Sequence, residues 1–436
     1  MKTRVRTTVD QLVAERLSLS PGFTQSELEQ AQMRRLRDTV SYAHKNSSLY
    51  KKRFQDLSLH GLVKRADLET LPFLTTADVV SHGHLLHCVS QSEVARIITM
   101  YTSGSTGKPK RYSFTANDLA ATSEFFLRGM ASLISKEDRV LVLMPFETEA
   151  SVGELLIGAL SGGGIHTQGL WPPPKSAATA RLITKEQITS VVGLPQHLLA
   201  LSEAVTLGQL GSMLLCSDYA PDSLRQRIEK NCGCETFLHY GATESGLGGA
   251  VECGAHAGLH IRESDLLIEI VDPDTGKQLP DGDMGEVVLT TLGREAMPLI
   301  RYRTGDIASL DRTTCSCGGV TARICNIYGR LHGRTLADGS PLYSQSLDDI
   351  LFQVPGLLDY RATLDHEGVD RLTIDYIANS DDSQIAETIH TLVSDKPEIF
   401  RLKEMGLLHV EKINKVECFA PTHTIKRTVL DIRYPR

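Results

Sequence analysis

The residues Tyr101-Thr102-Ser103-Gly104-Ser105-Thr106-Gly107-Lys108-Pro109-Lys110-Arg111 pack five hydroxyls, two glycines and three cations into eleven positions. Glycines allow a tight turn that brings backbone N–H groups close to an anion, and the hydroxyls and cations add donors. This is chemistry for gripping a polyphosphate. It is not a Walker loop, because only two residues separate Gly104 from Gly107 and a proline follows Lys108. Two further runs complement it. Tyr240-Gly241-Ala242-Thr243-Glu244-Ser245-Gly246 offers an aromatic face for a base and a carboxylate suited to Mg²⁺. Arg301-Tyr302-Arg303-Thr304-Gly305-Asp306 sets a carboxylate after a glycine turn, where it can accept hydrogen bonds from ribose hydroxyls. Each run alone is compatible with an ordinary capped turn or charged hairpin. The three in one chain are far more specific.

A fourth constellation is soft rather than hard. Cys253 and His260 flank a short loop, and Cys315-Ser316-Cys317-Gly318 supplies a tight thiol pair. A Cys₃His set suits structural zinc, with His256 as a substitute ligand. Cys232-Gly233-Cys234 reads as buried thiols, and His82, His84 and His87 as solvated or packed side chains. Nine cysteines, an odd number, argue for thiols and metal ligands rather than a disulfide framework.

The elements that must position these groups follow from length and pattern. A chain of 436 residues suggests two or three domains, and 41% hydrophobic with 23% charged residues is the composition of a globular protein. The net charge of −7 provides no global attraction to nucleic acid or to an anionic membrane. The first residues lack the apolar core of a secretory signal, and the longest apolar runs are strand-sized, so a cytoplasmic protein is expected. Residues 1 to about 95 read as helical. From there strands at 96–101, 140–145, 188–193, 212–216 and 236–240 alternate with helices at 117–133 and 154–160 among others. That rhythm implies a largely parallel sheet, with ligands beyond the carboxyl ends of its strands. After about residue 258 strand-and-turn patterning marks a β-meander through 266–271 and 285–291. The last hundred residues read as a small α+β domain. The fold class is α/β, with domains at 1–329 and 330–436.

On the three motifs together, and on Gly285-Glu286-Val287-Val288-Leu289-Thr290-Thr291-Leu292 and Glu295 to Asp306, the chain resembles the adenylate-forming superfamily. Within it, the likeness is to the phenylacetate–CoA ligase branch, which includes coenzyme F390 synthetase. It runs from about residue 30 to 330 and weakens beyond. The resemblance implies a large N-terminal α/β domain and a small mobile C-terminal one. It implies that Thr102, Ser103, Gly104, Ser105, Thr106, Gly107, Lys108 and Lys110 grip ATP phosphates, and that Tyr240, with Gly241 and Ala242, meets adenine. Thr243 and Glu244 would serve the α-phosphate and Mg²⁺, Asp306 the ribose, Arg330 the ribose or phosphate side, and Lys426 would be the late catalytic lysine. A carboxylic acid, aryl or arylacetic, would be adenylated and passed to CoA, in an enzyme that is often a homodimer.

The family's Asp–Asp hinge is here His332-Gly333, and the Arg of its thiol-side turn is Asp338. No glycine precedes Lys426. These departures leave open a non-CoA acceptor, as in coenzyme F390 synthetase, or a nucleotide-binding protein without turnover. Phe146 is a candidate boundary of the acyl pocket.

Overall fold

The N-terminal helices begin where the sequence supplies caps. The computed structural model describes residues 7–57, 61–101, 109–173, 175–204, 208–331, 333–380, 384–411, 413–419 and 426–433. The Thr7 side chain caps α1 (Thr8–Leu17), and Thr24 with Glu27 forms a capping box on α2 (Gln25–Asn46). After α3 (Ser48–Arg53), the same device recurs with Thr75 and Asp78 on α4 (Thr76–His82). Each such cap contributes about 1 kcal/mol by satisfying helix-end N–H groups. The apolar face of α2, with Met33, Leu36, Val40 and Ala43, belongs to one core that includes Leu266, Ile268, Val287, Leu289 and Leu310.

The segment 102–108 joins β1 (Arg96–Tyr101) to β2 (Pro109–Phe114), and these pair antiparallel as a two-stranded sheet. This differs from the sequence expectation that the Gly-rich run follows a strand of the parallel sheet. The reason is local. A strand pair needs only its own register, whereas parallel pairing needs a crossover. Next come α5 (Ala116–Met130), whose capping box uses Thr115 and Asp118, and then β3 (Arg139–Leu143), α6 (Val152–Gly162) and β4 (His166–Gly169). β3 and β4 are parallel, as a strand–helix–strand unit requires. The pattern repeats in α7 (Ser176–Lys185), β5 (Ser190–Gly193), α8 (Pro195–Ala204), β6 (Ser212–Leu215) and α9 (Asp222–Cys232), with β5 and β6 parallel.

From β7 (Glu235–Tyr240) the chain turns antiparallel through β8 (Ala250–Glu252) and β9 (Leu259–Ile261). The meander is β10 (Leu266–Val271), β11 (Gly285–Thr291), β12 (Tyr302–Asp311) and β13 (Arg323–Arg330), and β13 returns to pair with β9. Strand-and-turn structure thus starts before residue 258, at β8. Arg301 is fully buried at the entrance to β12, where its Nε and Nη2 reach the two carboxylate oxygens of Glu269 at 3.1 and 2.9 Å. That bidentate pairing makes a buried charge tolerable.

The chain divides into two compact units, residues 1–172 with 237–328 and residues 173–236 with 329–436. The break at 328/329 falls beside the expected boundary, while 173–236 groups with the C-terminal segment rather than with the rest of 1–329. Within the second unit, β14 (Arg334–Thr335) and β15 (Pro341–Leu342) form a small hairpin before α10 (Ser344–Leu351). Asp338 accepts from the backbone N and hydroxyl of Ser340 in the hairpin turn and pairs with Arg401, so the residue at the family's thiol-side turn serves turn geometry here. A long antiparallel pair follows, β16 (Leu357–Glu367) and β17 (Val369–Ala378), then α11 (Gln384–Ser394) and α12 (Pro397–Glu404). The short strands β18 (Leu408–Val410), β19 (Asn414–Lys415) and β20 (Leu430–Asp431) add to its edges in parallel.

Arg427 is one of the ties between 173–236 and the rest of this unit. Its buried guanidinium donates to Asp348 at 2.8 Å, to Gln196 at 2.9 Å and to the Tyr219 carbonyl at 2.6 Å. Among the described residues, no helix is long and apolar enough to cross a membrane.

Candidate active site and a cysteine–histidine cluster

Strand periodicity puts Lys110 and Tyr112 on one face of β2, two residues apart. Both reach the turn that follows β7. Lys110 Nζ donates to Glu244 Oε1 at 2.6 Å, and the Tyr112 hydroxyl lies 3.0 Å from the same oxygen. The Tyr302 hydroxyl, from the start of β12, is 3.4 Å from that oxygen and 3.2 Å from the Tyr112 hydroxyl. Thr76, at the start of α4, touches Tyr302 in turn at 2.9 Å. The Lys110 and Glu244 side chains are only 8% and 6% exposed. Burial, reinforced by the Glu244 charge, pushes both phenols up, so they stay neutral donors beside the carboxylate.

The turn itself is over-determined. Leu247 N and Ser245 N both bond to the Ala242 carbonyl, and Gly246 N bonds to that of Thr243. A β-carbon at Gly241 would lie 2.3 Å from the Leu247 carbonyl oxygen, so no larger residue fits. Gly246 has φ +76° and its β-carbon would meet Arg262 and Arg294. Thr243 is buried beside Glu244. The Tyr240 hydroxyl, at the end of β7, donates to Asp306 Oδ2 of β12 at 2.9 Å, and Gly305 at φ +76° makes the bend that presents Asp306.

Lys110, Tyr240, Gly241, Ala242, Thr243, Glu244 and Asp306 therefore share one unit, and three direct contacts, Lys110–Glu244, Tyr302–Glu244 and Tyr240–Asp306, join residues from separate motifs. Thr102, Ser103, Gly104, Ser105, Thr106, Gly107 and Lys108 lie outside the described residues, as does His332. Arg330, at the end of β13, and Lys426 belong to the second unit, and both are exposed. Tyr112 and Tyr302 were missed as site residues. Period-two spacing from Lys110 was the signal for the first, and proximity to Asp306 in one motif the signal for the second.

The cysteine–histidine cluster lies in the same unit. The ligand atoms of Cys253, His260, Cys315 and Cys317 all fall within 4.8 Å of one another. Cys253 Sγ and Cys315 Sγ are 3.9 Å apart, and Cys317 Sγ is 3.4 Å from His260 Nε2. A tetrahedral zinc with ordinary bond lengths needs S–S and S–N edges of about 3.8 and 3.6 Å. The donors fit.

The orienting shell fits too. Asp10 of α1 accepts the Thr321 hydroxyl at 2.8 Å and the backbone N–H groups of Val320 and Thr321. With its proton so committed, Thr321 Oγ1 can only accept from His260 Nδ1, 2.9 Å away. The Nε2 lone pair then faces the sulfurs. Burial holds the imidazole neutral, pushing its pKa down to about 4. His256 is not a member of the cluster and sits 3.4 Å from Glu252 instead. The nine cysteines are all unbridged.

The chain belongs to the AMP-binding enzyme family, whose model matches residues 29–293. It is an adenylate-forming enzyme of the phenylacetate–CoA ligase branch. It is 29% identical over 359 residues to a phenylacetate–coenzyme A ligase of Thermus thermophilus, covering 78% of this chain and 79% of that one. The phenylacetate–coenzyme A ligase of Escherichia coli is 29% identical over 346 residues, covering 74% and 76%. Among solved structures, 2-hydroxyisobutyryl-CoA ligase with its acyl-adenylate superposes with a TM-score of 0.77 at 19% identity, covering 94% of this chain and 91% of that one. That likeness concerns the fold.

Proposed function

We propose that this enzyme activates a carboxylic acid, aryl or arylacetic, with ATP and transfers the acyl group to CoA. In the first half-reaction the acid's carboxylate oxygen attacks the α-phosphorus of ATP and pyrophosphate leaves. In the second the CoA thiolate attacks the acyl carbonyl, and the bond to AMP breaks. No protein nucleophile is needed, so the work is positioning and charge stabilisation. The convergence of Lys110, Tyr112 and Tyr302 on Glu244 is the observation that carries this reading. A carboxylate held by one ammonium and two neutral phenols is fixed in orientation, and its hard oxygens suit Mg²⁺. Bound there, the ion would neutralise phosphate charge. Lys110 would exchange its partner from Glu244 to a phosphate oxygen, and Asp306 with Tyr240 would receive the ribose and base. The identity of the two branch relatives supports the aryl or arylacetic class.

Lys426, beside the buried Arg427, would be the late lysine that serves the reacting carboxylate. Lys426→Ala is expected to lose adenylation while still forming thioester from a supplied acyl-adenylate and CoA. Assaying the two half-reactions separately checks this, and loss of neither would remove Lys426 from the mechanism. A panel of acids assayed with and without CoA tests the acceptor: pyrophosphate release with thioester supports the ligase, release without thioester supports another acceptor.

We propose further that Cys253, His260, Cys315 and Cys317 hold one structural zinc ion. Asp10, which orients His260 through Thr321, would then tune it. Asp10→Ala is expected to weaken zinc retention by about tenfold to a hundredfold. Competition with a chromogenic chelator measures it, and unchanged retention would mean that the Asp10–Thr321–His260 chain does not orient the ligand.

A further inference from the structure

A second polar cavity, of about 390 Å³, lies in the first unit and is lined in part by Arg16, Arg35, Arg262 and Arg294. Its acids are already engaged. Both oxygens of Asp118 accept backbone N–H groups, from Glu295 at 2.8 Å, Thr115 at 3.0 Å and Ala296 at 3.1 Å. Glu295 accepts from the Thr115 hydroxyl and the Asn117 amide. Glu124 and Asp265 both take Arg16, at 3.0 and 2.8 Å.

That leaves two guanidiniums. Arg262 and Arg294 are 3% and 8% exposed, and neither forms an ion pair among the described residues. Arg262 reaches the Ser245 and Ala121 carbonyls, but its buried Nε has no hydrogen-bond partner. Arg294 lies over the Phe114 ring at 5.0 Å, and its guanidinium makes no hydrogen bond among the described residues. Both press on Gly246, where a β-carbon would lie 2.7 Å from one Nη2 and 2.8 Å from the other. Arg35 pairs with Asp265 at 3.9 Å through Nη2 and presents a buried Nε without a hydrogen-bond partner. Burial lowers Arg262 to about 10, with the Asp265 charge opposing the fall and the like-charged Arg294 adding to it.

Asp118 and Asp265 act on both cations through space, but two adjacent buried guanidiniums with no carboxylate in direct contact are costly unless an anion joins them. Guanidinium forks match phosphate oxygens, and the cavity has room for a small phosphorylated ligand. We propose that this cavity is a second anion site, separate from the Glu244 site, in which Arg262 and Arg294 share a phosphate group with help from Arg35. Because Arg262 also holds the Ser245 carbonyl, an anion here acts on the turn that carries Thr243 and Glu244. The phosphate could come from inorganic phosphate or pyrophosphate, or from a nucleotide's terminal phosphate.

The test uses the full chain with its catalytic nucleotide site saturated by an unreactive ATP analogue. Phosphate, pyrophosphate and adenosine 3′,5′-bisphosphate are each titrated by calorimetry. One saturable site is expected, and the tightest of the three names the source. Arg294→Gln should weaken it at least about tenfold, equivalent to about 1.4 kcal/mol, with partial recovery in Arg294→Lys. Arg35→Gln, at a less buried position, should weaken it in the same direction and serves if Arg294→Gln does not fold. No saturable binding, or equal binding in folded Arg294→Gln or Arg35→Gln, overturns the proposal.

Discussion

Replacing Lys110 by methionine is expected to lower folding stability by about 3 kcal/mol and acid-dependent pyrophosphate release by about a hundredfold to a thousandfold. The two losses have different causes. Stability falls because Glu244, slightly more buried than Lys110, keeps its charge and loses the ammonium 2.6 Å away. The Tyr112 and Tyr302 hydroxyls still face it, which keeps the loss at the lower end of what a broken buried pair costs. Activity falls because the site loses a cation aimed at phosphate. The double variant Lys110→Met with Glu244→Gln separates these effects. Removing the orphaned charge should restore at least half of the lost stability and none of the activity. Urea unfolding and pyrophosphate release measure the two quantities. A double variant no more stable than Lys110→Met would mean that the pair is not what stabilises this site.

The second large effect concerns the cluster around His260. Purified protein is expected to carry about one zinc ion per chain, and Cys315→Ser is expected to lose it together with at least about 3 kcal/mol of stability. The magnitude follows from what the ion would join. Cys253 and His260 flank the turn between β8 and β9, while Cys315 and Cys317 sit in the turn between β12 and β13. Gly319 packs against the His260 ring, where a β-carbon would come within 2.7 Å of Cε1, so this turn closes tightly on the histidine. Without a cation, three sulfurs and an imidazole face one another in a largely buried space. Asp10 ties the same turn to α1, so the disturbance should spread to the N-terminal helix. Metal analysis before and after chelation, with thermal melts of both samples, tests this. Metal-free protein with an unchanged melt would rule out a structural ion here.

Much of this was legible from residue types. The Cys₃His set could be read because few chemistries explain three thiols and an imidazole on two turns, and the cluster lies where those turns meet. Glu244 and Asp306 were legible because carboxylates beside glycine turns have restricted uses. The sequence did not reveal that β1 pairs with β2 alone, because an apolar run does not declare its partner. It also missed Tyr112 and Tyr302, whose polar ends matter only once β2 and β12 converge on one carboxylate. The role of Arg427 was hidden for the same reason. An arginine next to a catalytic-lysine candidate looks like surface charge, yet it is the one turned inward, with Lys426 exposed. Arg262 and Arg294 look equally ordinary in sequence, and only their shared burial against Gly246 sets them apart.

The proposed chemistry turns on an acid oxygen attacking the α-phosphorus of ATP. The most direct test supplies an acid substrate labelled with heavy oxygen in its carboxylate, with ATP and CoA, and locates the label by mass spectrometry. AMP carrying one labelled oxygen is expected, formed together with the thioester, and unlabelled pyrophosphate. Label in phosphate or pyrophosphate, or thioester formed with unlabelled AMP, would contradict it.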